Sequence, residues 1–155
     1  MAVLKNTLTL NDALKISSPL RFNMMFKPIG SVCNLDCSYC YYLDKKKMFA
    51  DNSVMPMSLL EKIIKDYIQI NNNEPIVFDW HGGEPLLLGV DYFKKIVDIQ
   101  NKYKCGKYVY NTIQTNATLM NDDFAKFFKD NGFLVGVSID GPQDIHDKYR
   151  KDKDE

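Results

Sequence analysis

Apolar positions along this chain switch between two periods, and the switches mark its elements. A short apolar run, Phe22-Asn23-Met24-Met25-Phe26-Lys27, leads into Pro28 and Gly30 and reads as a first strand. Leu59, Leu60, Ile63, Ile64, Tyr67 and Ile68 recur at helical spacing, with Ser58 and Glu61 placed as a capping box and Asn71-Asn72-Asn73 as the stop. Ile76-Val77-Phe78-Asp79-Trp80 predicts a second strand. A second helix over about 90–103 carries Phe93, Ile96, Val97 and Gln100. Residues 108–114 predict a third strand. Asn121 caps a third helix through Phe124, Phe127 and Phe128, which Gly132 closes. Residues 134–139 form a fourth strand, ended by Asp140-Gly141-Pro142. Residues 1–21 are weakly patterned and read as an arm or cap. The last stretch is densely charged, and His146 and Arg150, four apart at a helix start, read as a solvated face.

The order is therefore β, loop, α, β, α, β, α, β. Strands alternating with helices imply an α/β fold with parallel pairing and right-handed crossovers. Ligands of such folds bind beyond the C-terminal ends of the strands. Every unusual cluster in this sequence falls there. A cysteine loop follows strand one and Gly82-Gly83-Glu84-Pro85 follows strand two. Gln114-Thr115-Asn116 ends strand three, and the stretch from Ser138 to Pro142 ends strand four.

Composition narrows the class of protein. The 155 residues suffice for one domain with a real core. Lys+Arg and Asp+Glu are both 20, so nothing in the charge balance points to nucleic acid or a membrane surface. No apolar run approaches transmembrane length. The stretch from Met1 to Ser18 lacks the apolar core of a secretory signal. Four cysteines, three of them clustered, suit a metal site in a reducing compartment, which places the protein in the cytoplasm.

The clustered three are Cys33, Cys37 and Cys40, at spacing C-x3-C-x2-C. Thiolates on one short loop can face a common centre and bind iron or zinc. On a [4Fe–4S] cluster they would leave one iron open to a small molecule, where ferredoxin clusters use four cysteines. On zinc they would need a fourth ligand, His81 or Cys105. Gly82 and Gly83 let a ligand approach the backbone or simply make a tight turn. Ser138 and Asp140 could hold a ribose or carboxylate, or serve turn chemistry. Tyr39 could contact an adenine or pack in the core. Gln114, Thr115 and Asn116 line a pocket floor or satisfy a strand end.

Taken together, these stretches resemble the radical S-adenosylmethionine (SAM) enzymes, and among them the anaerobic sulfatase-maturating enzymes, which carry a C-terminal auxiliary-cluster (SPASM) domain. The resemblance runs from Lys27-Pro28 through Cys33 to Leu43, then Trp80 to Pro85 and Ile113 to Asn116. It continues through Val135 to Gln143 and His146 to Arg150. It implies a [4Fe–4S] cluster on Cys33, Cys37 and Cys40, with SAM on the fourth iron. The SAM amine would meet Gly82, Gly83 and Glu84, and Tyr39, Ser138 and Asp140 are the further SAM-contact candidates. It implies reductive cleavage of SAM to a 5′-deoxyadenosyl radical, which oxidises a cysteine or serine of a sulfatase to formylglycine. A reduced flavodoxin or ferredoxin type protein would supply the electron. The family barrel is a TIM-like (β/α)6 fold of six strands. Residues 22–155 would be its first four strands, an incomplete core without the later half or the auxiliary-cluster domain. Other readings are a SPASM-type enzyme that links residues in ribosomal peptides, and a zinc-binding module.

Overall fold

The computed structural model describes residues 21–42 and 54–153. Four strands form one sheet in sequence order: β1 (Met24–Phe26), β2 (Ile76–Trp80), β3 (Val109–Thr115) and β4 (Leu134–Val137). All three pairings are parallel, with Phe26 beside Trp80, Trp80 beside Ile113 and Ile113 beside Val135. Helices α1 (Met57–Ile70), α2 (Val90–Tyr103) and α3 (Asp122–Asp130) lie in the three crossovers, and α4 (Gln143–Tyr149) follows β4. The predicted alternation of strand and helix is thus present, with parallel pairing throughout.

Burial follows the two periods read from the sequence. In β2, Ile76, Phe78 and Trp80 are buried while Val77 and Asp79 are half-buried. The buried set meets Leu60, Ile64, Tyr67 and Ile68 of α1, Phe93 and Ile96 of α2, and Phe124, Phe127 and Phe128 of α3 in one core. Burial of each such side chain stabilises the fold by roughly 1.5–3 kcal/mol relative to exposure. All three helices cover the same face of the sheet. The other face carries Met25, Asp79, Thr112, Gln114, Leu134 and Gly136, which line an open cleft.

Two local expectations change. The capping box at Ser58 does not form. The helix starts earlier, with Pro56 at the N-cap, where φ of −56° suits a helix entry, and no side chain caps it. Ser58 is then inside the first turn. Glu61 instead accepts hydrogen bonds from Lys102 Nζ and Tyr103 OH, each at 2.8 Å, and ties α1 to α2. The stretch after Pro142 forms α4, and its end is not a solvated face, as the site shows. The caps of α3 are as expected: Asn121 Oδ1 accepts from Phe124 N at 3.0 Å, and Gly132 follows at φ +64°. The arm expected over 1–21, apart from Arg21, and the basic run Lys45-Lys46-Lys47 lie outside the described residues. Among the described residues no helix is long and apolar enough to cross a membrane.

Inside the core, Asn111 Oδ1 accepts from Trp80 Nε1 and Gln100 Nε2, each at 2.8 Å, and its amide donates to Gln100 Oε1 at 3.0 Å. Removing the Asn111 amide strands the other two groups in an apolar environment. Asn111→Ala should lower unfolding free energy by about 2–4 kcal/mol. The exposed Lys62→Ala should cost well under about 1 kcal/mol. Urea unfolding monitored by Trp80 fluorescence measures both.

Candidate functional site at the C-terminal ends of the strands

The cysteine loop leaves β1 and folds back over the ends of β2 and β3. What holds it there is the Gly82-Gly83-Glu84 stretch. Gly83 N donates to Gly30 O at 2.9 Å and Glu84 N to Val32 O at 2.8 Å, so the backbone pairs with the residues just before Cys33. The contact is too close for a side chain. A Cβ on Gly83 would overlap the Val32 carbonyl, and one on Gly82, which has φ +134°, would sit 2.9 Å from Gly30 O. The glycines let the chain's own lead-in approach, and they also line the cleft beside the thiols.

Glu84 faces inward and has no solvent exposure. Its Oε1 accepts from Leu86 N at 2.9 Å and Thr115 Oγ1 at 2.6 Å, and its Oε2 accepts from Asn116 N at 2.7 Å. The carboxylate thereby joins the turn after β2 to the end of β3. Asn116 passes the connection on. Its Nδ2 reaches Cys33 Sγ at 3.7 Å and Asn34 Oδ1 at 3.0 Å, while Leu35 N donates to the same sulfur at 3.4 Å. Two N–H groups aimed at one sulfur suit a thiolate that carries charge.

Cys33, Cys37 and Cys40 line one open cleft of about 220 Å³ with Tyr39, His81, Gly82, Gly83, Gln114, Asn116, Ser138 and Arg150 around it. All three thiols are free. Burial raises the pKa of Cys33 and Cys37. The Leu35 N–H pulls the first back, and the Arg150 guanidinium the second. Among the described residues no three His, Cys, Asp or Glu side chains close on a single ion. Three thiols on one cleft are the donor type that an iron–sulfur cluster takes. Cys105 cannot complete a zinc site. It is exposed and sits just before the N-terminal end of β3, at the opposite rim of the sheet. His81 stays at the cleft, where its Nδ1 accepts from Gly82 N at 2.9 Å. Burial, and then the charge of Lys27, hold its pKa below the usual histidine value.

The remaining candidates form a second group on the far wall. Ser138 Oγ accepts from Gln114 Nε2 at 2.8 Å. Asp140 is held by Arg150 through two bonds of 2.9 Å and accepts from Tyr39 OH at 2.5 Å. Those bonds, that of Arg150 first, keep the Asp140 carboxyl below the ordinary range. Partial desolvation of its hydroxyl and the bond to Asp140 push the Tyr39 phenol up to about 12, so it remains a donor although the residue as a whole is exposed. The charge pattern of the sequence places Arg150 on a solvated face, yet its side chain is only 14% exposed. The Asp140-Gly141-Pro142 turn brings the end of α4 back to Asp140, where His146, four residues before Arg150, accepts from Asp140 N at 3.4 Å. That turn was the available signal.

The chain is thus a parallel α/β sheet that gathers three thiols, a glycine-docked loop and polar strand ends on one rim. The profile of the radical SAM superfamily matches residues 28–155, and the chain belongs to that superfamily. A serine-type anaerobic sulfatase-maturating enzyme of Bacteroides thetaiotaomicron is 49% identical over 132 residues, covering 84% of this chain and 32% of that protein. A cysteine-type enzyme of Clostridium novyi is 42% identical over 133 residues, covering 84% and 35%. The solved structure of native anSMEcpe with bound AdoMet superposes at TM-score 0.77 and 39% identity, covering 83% of this chain and 36% of that one. The same protein with AdoMet and the Cp18Cys peptide gives TM-score 0.78 at 37% identity, covering 86% and 35%. The four strands and their helices are thus part of a radical SAM TIM-like fold. The chain spans about a third of the length of the relatives it matches.

The docking of the cysteine loop makes a direct prediction. Gly83→Ala should displace residues 30–33 and lower iron incorporation on anaerobic reconstitution by at least about tenfold. Gly106→Ala, at φ +83° in open space, should cost only about 1 kcal/mol of stability and leave iron binding unchanged. Iron assay beside thermal unfolding separates the two effects.

Proposed function

We propose that this chain binds a [4Fe–4S] cluster through Cys33, Cys37 and Cys40, together with SAM, and serves anaerobic sulfatase maturation. In that reaction a cysteine or serine of a sulfatase polypeptide is oxidised to formylglycine. The observation that carries the reading is the shared cleft, where three free thiols meet polar groups from the ends of all four strands. Similarity to serine-type and cysteine-type maturases, and to a structure with AdoMet and peptide, supports the substrate class.

Bound there, the cluster and SAM would supply the electron and the 5′-deoxyadenosyl radical that starts oxidation of the substrate. The chain's residues have separate tasks around them. The loop Cys33 to Cys40 presents the thiols, with the Leu35 and Asn116 N–H groups steadying the charge on Cys33 Sγ. Gly82, Gly83 and the backbone around Glu84 form the wall for the SAM amine, and the Glu84 carboxylate fixes that wall from behind. Tyr39, Ser138 and Asp140 stand where adenine, ribose or carboxylate would be read. The sheet face opposite the three helices, with Met25 and Leu134 beside Asp79, Thr112 and Gln114, opens beside this cleft and offers a largely apolar approach, edged by polar groups, for a peptide. A reduced flavodoxin or ferredoxin type donor and a cytoplasmic setting complete the proposal.

Anaerobically reconstituted protein should convert SAM to 5′-deoxyadenosine under dithionite. A sulfatase-derived peptide carrying the target cysteine or serine should gain the formylglycine mass. Cys37→Ala should abolish both products. Liquid chromatography with mass detection reads both products. Reconstituted protein that leaves SAM intact would overturn the proposal.

A further inference from the structure

The segment after α4 runs back across the cysteine loop. Asp36 N donates to Lys151 O at 2.8 Å and Ser38 N to Tyr149 O at 3.0 Å. Leu35 and Asp152 form an antiparallel bridge, and Lys153 Nζ donates to the Cys33 carbonyl. The loop is therefore clamped on two sides, by Gly82 to Glu84 from below and by residues 149–153 from outside. One side-chain group fastens the outer clamp to the sheet. Arg150 Nε and Nη2 grip both oxygens of Asp140, three residues past β4, while Tyr39 of the loop donates to the same carboxylate. The guanidinium also lies 5.6 Å from the Tyr39 ring centre. Side-chain exposure in this pair is 14% and 24%, whereas both members of each other ion pair among the described residues are at least 36% exposed. A two-point fork on a sheltered carboxylate fixes direction as well as distance, which a lysine cannot do.

We infer that Arg150 is a positioning residue for the cysteine loop: through Asp140 and Tyr39 it fastens the loop to the end of β4, and so sets how the thiols and the Tyr39 ring are presented to a bound cluster and SAM. The part of this inference that concerns the cluster rests on the function proposed above. The fastening of the loop stands on the hydrogen bonds alone. Arg150 also brings a fixed positive charge to the cleft that Cys37 lines. Net charge and hydrogen bonding around the sulfurs are what set a cluster's potential. Arg150 acts on the chemistry through its neighbours, with no transfer of a proton or electron of its own.

The test has two readouts. The first is amide hydrogen exchange on the chain before iron is added. Arg150→Lys and Asp140→Asn should each speed exchange over residues 35–39 by about tenfold or more, with β2 and β3 unchanged. The second is potentiometric titration of the reconstituted variants. The midpoint potential, and its displacement by SAM, should shift from wild type, which a merely stabilising ion pair would not cause. If Arg150→Lys loses protection in β2 as well, Tyr39→Phe removes a single hydroxyl from the same group and is judged by the same two readouts. Unchanged protection over 35–39 in these variants would overturn the inference, and so would a loosened loop with an unmoved potential. Wild-type protein that assembles no cluster, while the variants still free the loop, would support the fastening and overturn the function proposed above.

Discussion

A carboxylate without solvent exposure holds the rim of this protein together. Burying Glu84 costs several kcal/mol unless its oxygens are well paired, and here they accept from Leu86 N, Thr115 Oγ1 and Asn116 N. Those three donors belong to the turn after β2 and to the end of β3. The same residue's N–H pairs with Val32, and Asn116 in turn reaches Cys33 Sγ. One buried group thus connects two strand ends to the loop that carries the thiols. Without it the loop would lose its link to the ends of β2 and β3 and keep only its backbone pairing and the tethers on its outer side.

The glycines serve the same geometry. Their freedom is spent on close approach between Gly82-Gly83 and residues 30–32, which seats the cysteine loop on the sheet and leaves backbone lining the cleft. The opposite wall is built from longer side chains, Arg150, Asp140 and Tyr39, whose bonds reach across from β4. Short backbone contacts on one side and a charged fork on the other hold the thiols between two rigid elements. The helices contribute from a distance. Their aromatic and aliphatic faces cover one side of the sheet, and among the described residues the other side stays open beside the cleft of the thiols.

Most of the fold was legible because its signals are local. The spacing of Leu60, Ile64, Tyr67 and Ile68 and the alternation of Ile76, Phe78 and Trp80 translate directly into buried faces. The position of the clusters on one rim followed from parallel topology alone. What the pattern misplaced depended on context. Ser58 and Glu61 have the right spacing for a capping box, but Pro56 starts the helix first and Glu61 is drawn to Lys102 and Tyr103 on α2. Arg150 looks like one more charge in a charged stretch. Only the turn at Gly141-Pro142, which returns the end of α4 to Asp140, reveals that it faces the cleft. Glu84 was legible as part of the Gly-Gly-Glu-Pro turn, but not that its carboxylate turns inward to Leu86, Thr115 and Asn116 instead of lining the cleft, since nothing in the chain order says that the end of β3 approaches it.

The central claim is that Cys33, Cys37 and Cys40 together hold a cluster that SAM can reach. Electron paramagnetic resonance of the reconstituted, dithionite-reduced protein, with and without SAM, addresses it most directly. The account predicts a reduced [4Fe–4S] signal whose shape changes on adding SAM and which is lost in Cys37→Ala. A signal indifferent to SAM, or a cluster that survives loss of Cys37, would contradict it.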